Sequence, residues 1–221
     1  MAKKTSTDTD LINIPNGGTP AVADDEWDAM VAGKGVFSRV QLMTNKSDLV
    51  TTGEFPMNHF ALVGVGNSVE DDLGKTLEVI VCGLRAKAMR IGDPMIIVFE
   101  VKHLEFAKIQ AESTLQDSGC MFGPEFLVYI PSVEKFATLF FNSKSMRREA
   151  PNMRKRLGKG ALLQSKLIET ARFKWTTTIV KPCTAPLTPP DPEPLEEALE
   201  TFNNPEPIVH EKAPETSGRE R

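Results

Sequence analysis

The 221 residues carry 26 Lys and Arg against 30 Asp and Glu, a net charge of −4, with 40% hydrophobic and 25% charged side chains. This composition suits one globular domain with tails, or two small domains, has enough apolar residues for a sizeable core, and speaks against a wholly basic nucleic-acid coat. No apolar stretch approaches the roughly 20 residues of a membrane helix, and no apolar run follows the basic start Met1-Ala-Lys-Lys, so a soluble, cytoplasmic protein is expected.

In chain order, residues 1–33 read as a flexible N-terminal arm. Asn16 to Pro20 break regular structure, Asp24, Asp25, Glu26 and Asp28 add negative charge, and Trp27 is the one large apolar anchor. Strands are expected at Val36–Met43, Leu49–Thr52, His59–Val65 and Thr76–Cys82, and a buried-type strand over Pro94–Val101. Gly64-Val-Gly66 ends a strand as a turn; it lacks the third glycine and the apolar helix of a dinucleotide loop. Leu104–Ser113 reads as a short helix or ragged strand, Gly119–Gly123 as a turn, Glu125–Ile130 and Ala137–Asn142 as strands. A helix is expected to start at Pro151 and to end at Gly158 and Gly160. Leu162–Thr170 and Phe173–Val180 then close the strand series.

Many short strands with one or two short helices, and no βαβ alternation, predict a mainly β small barrel or sandwich over residues 34–181. From Pro182 the chain is Pro-rich and then acidic, a disordered tail over 182–221 with room for a short helix at Leu195–Phe202.

Charge is segregated. Lys144–Lys181 holds eleven basic residues against two acidic, a net of +9, whereas Pro182–Arg221 holds three basic against nine acidic, a net of −6. An ordinary surface mixes both signs, so Lys144, Arg147, Arg148, Arg154, Lys155, Arg156, Lys166, Arg172 and Lys174 point to a phosphate-tracking groove. Tyr129 and Trp175 are the stacking candidates, while Phe126, Phe136 and Phe140 are assigned to the core. The bland alternative is a solvated helix face with ordinary surface strands. Beside such a groove, the acidic tail either competes for it, recruits partners by charge, or only solubilises.

Other motifs carry less. Cys82, Cys120 and Cys183 are odd in number and lack a Cys-x-x-Cys pair, which predicts reduced thiols with Cys120, in a turn, the most exposed. His59, His103 and His210 are scattered. Asp72 upstream of Glu100-Val-Lys102 has the order of a metal-dependent nuclease, two carboxylates for a cation and a lysine for water, but Glu-x-Lys is common.

Asp117-Ser-Gly-Cys120, Phe126-Leu-Val-Tyr-Ile130, the strand exit Phe141-Asn-Ser-Lys144, and Ser165-Lys-Leu-Ile-Glu-Thr170 leading to Trp175 together resemble bacteriophage single-stranded DNA-binding proteins of the oligonucleotide-binding (OB) fold. The resemblance covers roughly Asp117–Pro186, and the acidic Pro-rich C-terminus is similar in style. It implies an OB-like, partly open β-barrel that binds single-stranded DNA without catalysis or a cofactor. It also implies support of phage replication or recombination in the host cytoplasm, with partner proteins on the tail. The alternatives are a phage assembly protein whose strands pair between copies in a homo-oligomer, and the nuclease using Asp72, Glu100 and Lys102.

Overall fold

The computed structural model describes residues 37–205 apart from 65–67, 93–94, 116 and 171–173. The N-terminal arm with Trp27, the Gly64–Gly66 turn, Arg172 and residues 206–221 of the tail therefore lie wholly or partly outside the described residues. Within them the chain is mainly β. The strands are β1 (Ser38–Leu42), β2 (Phe60–Val63), β3 (Val69–Gly74), β4 (Thr76–Arg90), β5 (Ile96–Val98), β6 (Cys120–Ile130), β7 (Lys135–Phe140), β8 (Gly160–Glu169) and β9 (Lys174–Pro182). The helices are α1 (Asp48–Thr51), α2 (Leu104–Glu112), α3 (Lys144–Arg154) and α4 (Pro192–Asn203).

All strands join one open sheet in the order β3-β2-β1-β7-β6-β4-β8-β9, with β5 attached to β4. Every pairing is antiparallel except β1 with β7. Period-two alternation builds the core. Leu77, Val79 and Val81 of β4, Phe126, Val128 and Ile130 of β6, Ala137 and Leu139 of β7, and Ala161 and Leu163 of β8 are all buried in one cluster with Val40, Phe60, Phe141 and Val180. Phe126 meets Phe141 edge-on at 5.3 Å between ring centroids. Each of the buried Val, Leu, Ile and Phe side chains contributes roughly 1.5–3 kcal/mol of burial.

Strand β4 is the longest element. Its first half pairs with β8, and its second half runs out with β6 as a ribbon that carries β5 and α2. Ala88, Phe106, Ile109 and Cys120 form the small core of that ribbon. At the far side of the sheet, Asn58 adopts a left-handed backbone (φ 67°), which asparagine tolerates, and its side-chain carbonyl accepts a hydrogen bond from Thr176 of β9.

Several expectations are corrected. Leu49–Thr52 is not a strand: Asp48 occupies the first turn of α1, and the Thr51 and Thr52 hydroxyls bond back to its carbonyl. The acidic run Glu70–Asp72, left out of the expected strands, lies in β3, where Lys135, Ser38 and His59 hold its carboxylates. Pro94–Val101 yields only the three half-exposed residues of β5. Gly119–Gly123 is mostly strand rather than turn: β6 begins at Cys120, and Gly123 is needed because a Cβ there would lie 2.1 Å from the Phe141 carbonyl oxygen. Cys120 is accordingly buried, not exposed.

The helix expected from Pro151 starts a full two turns earlier. Ser143 caps α3 by accepting from the Met146 amide, and Pro151 sits inside the helix. The tail is not disordered throughout from Pro182, and the short helix allowed at Leu195–Phe202 forms. Residues 192–203 fold into α4, and Ala198 and Phe202 are buried with Leu127, against Phe37, Cys82, Phe136 and Leu199. Gly83 makes room for this, since a Cβ there would lie 3.2 Å from the Phe202 ring. Pro192 at the first turn and the spacing Leu195–Ala198–Leu199–Phe202 supply the helix and its apolar stripe. No helix among the described residues is long and apolar enough to cross a membrane.

Candidate nucleic-acid interface

Helix α3 has a sharp division of faces. Met146, Ala150 and Met153 recur at helical spacing and pack on the main core. Lys144 and Arg148, with Lys155 at the C-cap just past the last helical residue, fall on the opposite side of the helix, and all three are exposed. Arg154 beside them is exposed as well, and Arg156 half-buried. The first turn has no acidic residue. Glu149 does not neutralise the stripe: its carboxylate accepts from the Val180 amide of β9 and the Asn152 side chain. Among the described residues, Lys174 is the only cation of the expected set with an ion pair, to Glu169 at 3.6 Å.

Arg147 stands apart from its neighbours. Its guanidinium donates to the carbonyl oxygens of Phe122 (3.0 Å) and Asn142 and lies 4.3 Å over the Phe122 ring. Burial pushes its pKa below the ordinary value, which leaves it a cation. It ties α3 to β6.

The β8–β9 hairpin provides the second part. Ile168 pairs with Trp175, and Lys166 with Thr177, so Lys166, Ile168 and Trp175 share one face, opposite that of Leu163 and Val180. Trp175 is 38% exposed, unusual for so large a ring, and Lys166 is exposed beside it. Lys174 projects from the other face with Glu169. Helix α3 contacts β9 and packs on the core that holds Leu163 and Val180, so Lys166 and Trp175 stand on the other face of the hairpin from the one α3 adjoins.

Tyr129 is not brought to this region. It stands on the outer face of β6 with its ring 5.1 Å from that of Phe136. Phe136 and Phe140, expected in the core, share that outer face, where Phe136 is half-buried in the apolar cluster under α4, while Phe126 is in the main core as expected.

The outer face holds a cluster that charge counting missed. Glu125 is 1% exposed and takes Arg85 at 2.6 Å and Lys87 at 2.6 Å. The Arg85 guanidinium lies between two rings, 3.8 Å from the centroid of Phe99 and 4.1 Å from that of Phe202, and donates to the Phe202 carbonyl oxygen. Burial lowers the pKa of Arg85 and the Glu125 carboxylate opposes that shift. The one available signal was Arg85 and Lys87 two apart on a strand, facing a carboxylate in the next strand.

The nuclease residues are not gathered. Asp72 is held by His59 (2.9 Å) and the Gly74 amide, and Glu100 and Lys102 flank the turn after β5. Among the described residues no three His, Cys, Asp or Glu side chains are grouped so as to hold a metal ion. All three thiols are free, and burial raises that of Cys82 to about 11. No protein-family model, no curated protein and no solved structure matches this chain.

Proposed function

We propose that this protein binds single-stranded DNA with little sequence preference and serves phage replication or recombination without catalysing a reaction. The observation that carries the proposal is the exposed, unpaired cation stripe Lys144–Arg148–Lys155 on α3, with Arg154 beside it and Lys166 and Trp175 on the adjoining hairpin. Cations without protein carboxylates are free to displace counterions from a phosphate chain, and an exposed indole offers a face to a base.

The strand connectivity supports an OB-like barrel. With β4, β6, β7, β8 and β9 taken as its five strands, β4 is shared by β6 and β8, and α3 lies between the third strand and the fourth. The β8–β9 turn is then the loop between strands four and five, a place where OB barrels hold oligonucleotides. The chain departs from a closed barrel at β7, whose free edge takes β1 as a parallel neighbour. The expected Arg172, between β8 and β9 in sequence, belongs to the same proposal, as does partner recruitment by the acidic tail over 182–221.

Titrating a labelled single strand and its duplex at two salt concentrations tests the reading. Binding should favour the single strand and fall with salt at a log–log slope of about −0.7 for each phosphate neutralised. Failure to bind either form at low salt would end the proposal. A second reading, a protein-assembly role, is favoured by Ile91, Val101, Leu104 and Leu115, all exposed on the stretch between β4 and β6. Light scattering that shows concentration-dependent oligomers lost when these four are made polar would support it.

A further inference from the structure

A cavity of about 670 Å³ opens between the end of α2, the start of β6 and the first turn of α3. This is the size of a small-molecule site, roughly 300–1,000 Å³, and far more than an inorganic anion fills. None of its ten lining residues is acidic, and two are the cations Lys144 and Arg147. Arg147 is already oriented by the Phe122 and Asn142 carbonyl oxygens, so little freedom remains for a ligand to freeze. Glu112, on the helix that supplies Gln110, is engaged by Arg90 at 2.7 Å. The cleft is also lined by the amides of Gln110 and Asn142, which both donate and accept, and by the Thr114 hydroxyl, which donates to the Ala111 carbonyl and can accept. The Asn142 amide nitrogen meets the Met121 thioether at 3.0 Å, a weak acceptor that a base could replace.

A cationic end, a flat guanidinium and a set of amides together match one ligand chemistry. We infer that this cleft binds a nucleoside monophosphate, its phosphate on Lys144 and Arg147 and its base edge on Gln110 and Asn142. The inference deepens the proposed function and rests on it only for the ligand's source, which is either a free nucleotide or one unit of a bound strand. No bond is made or broken.

The test is calorimetric titration of the full chain with dAMP, beside deoxyadenosine and inorganic phosphate. The nucleotide should bind at least about tenfold more tightly than either fragment, because each lacks one half of the contacts. Thr114→Trp, at an exposed position, fills the cleft without changing charge, and Asn142→Leu removes an amide. Each should weaken dAMP by about tenfold or more with an unchanged melting temperature, whereas Lys75→Glu, at an exposed position between β3 and β4 and outside the cleft lining, should leave dAMP within about twofold. No dAMP binding, or binding indifferent to both cleft variants, overturns the inference. If dAMP displaces a labelled single strand, the cleft holds a unit of that strand; if it binds without displacing it, the cleft holds free nucleotide. Strand binding without dAMP binding removes the cleft and keeps the proposed function, and dAMP binding without strand binding does the reverse.

Discussion

Two groups of cations ride on the same sheet. Arg85 and Lys87 lie on the outer face of β4, mostly out of water, sharing the buried carboxylate of Glu125 under the end of α4. Lys144, Arg148 and Lys155 stand on the solvent side of α3 with no carboxylate partner among the described residues. The side chains have the same chemistry, and their surroundings assign them opposite tasks. A cation whose field is cancelled within the protein contributes to cohesion; one whose field reaches into water is available to an anion. Counting charges along the chain ranks the two groups only by number, and pairing and burial separate them.

The largest effect is expected where the charge is buried. Glu125→Ala leaves two half-desolvated cations without their counter-ion and should cost about 4 kcal/mol in urea denaturation. Affinity for a single strand, measured on the fraction that remains folded, should hold. A loss under about 1 kcal/mol would mean that water reaches this cluster and that the division between the two groups is not one of burial.

Phe202→Ala comes next. The ring is fully buried, packs on Gly83 and Leu127, and covers one side of Arg85. Truncation should cost about 3 kcal/mol, at the low end for a buried Phe because a terminal helix can lift away. Hydrogen exchange should then speed up in α4 before it does in β6. Uniform acceleration across the sheet would show that α4 is not a separable cover.

How far these two regions were readable before folding follows from their physics. The α3 stripe was legible because its charges are neighbours in sequence; β1, β7, β4 as far as Cys82 and β6 from Glu125 were legible from alternating apolar residues, and β2, β8 and β9 from apolar or β-branched runs, while Gly83–Arg90 of β4 and the start of β6 were missed. What stayed hidden depends on distant partners. Glu125 lies 40 residues from Arg85 and reads as an ordinary polar position of an alternating strand. Phe202 lies 117 residues from Arg85, in a stretch whose prolines and acids resemble disorder. β3 was missed because its acids become compatible with a strand only when Lys135, Ser38 and His59 arrive. Pro151 misplaced the start of α3 because proline is favoured in a first turn and costly inside a helix, and the Ser143 cap shows only once the Met146 amide is in place.

Arg148→Glu with Lys155→Glu addresses the open group. Stability should stay within about 0.5 kcal/mol, since neither side chain has a partner to lose. Single-strand affinity at low salt should fall about 100-fold, and the salt slope should become shallower by roughly 1.4. Unchanged affinity would move the interface off α3. A chain ending after Pro205 sharpens the same point: it removes four acidic and three basic residues, a net of −1, so its single-strand affinity should stay within about twofold at low and at high salt.

Lys135 separates pairing from burial, and its effect should be the smallest. It reaches Glu70 at 3.0 Å and Asp71 at 3.7 Å, yet its side chain is 47% exposed. The hydrogen bond from Lys135, then that from the Ser38 hydroxyl, hold the Glu70 carboxyl below the usual carboxylate range against a smaller push from burial. A carboxylate depressed by folding contributes stability that is fully present above its unfolded pKa, about 4.3, and is lost as the pH falls through the lower folded value. In Lys135→Met that contribution shrinks, so denaturation midpoints of variant and parent should separate slightly above about pH 4.3 and converge in stronger acid. Salt should erase the separation, because water already screens the pair. If the gap at neutral pH instead matched that of Glu125→Ala and resisted salt, pairing alone would make a cation structural. The α3 stripe would then owe its availability to lacking partners, whatever its exposure.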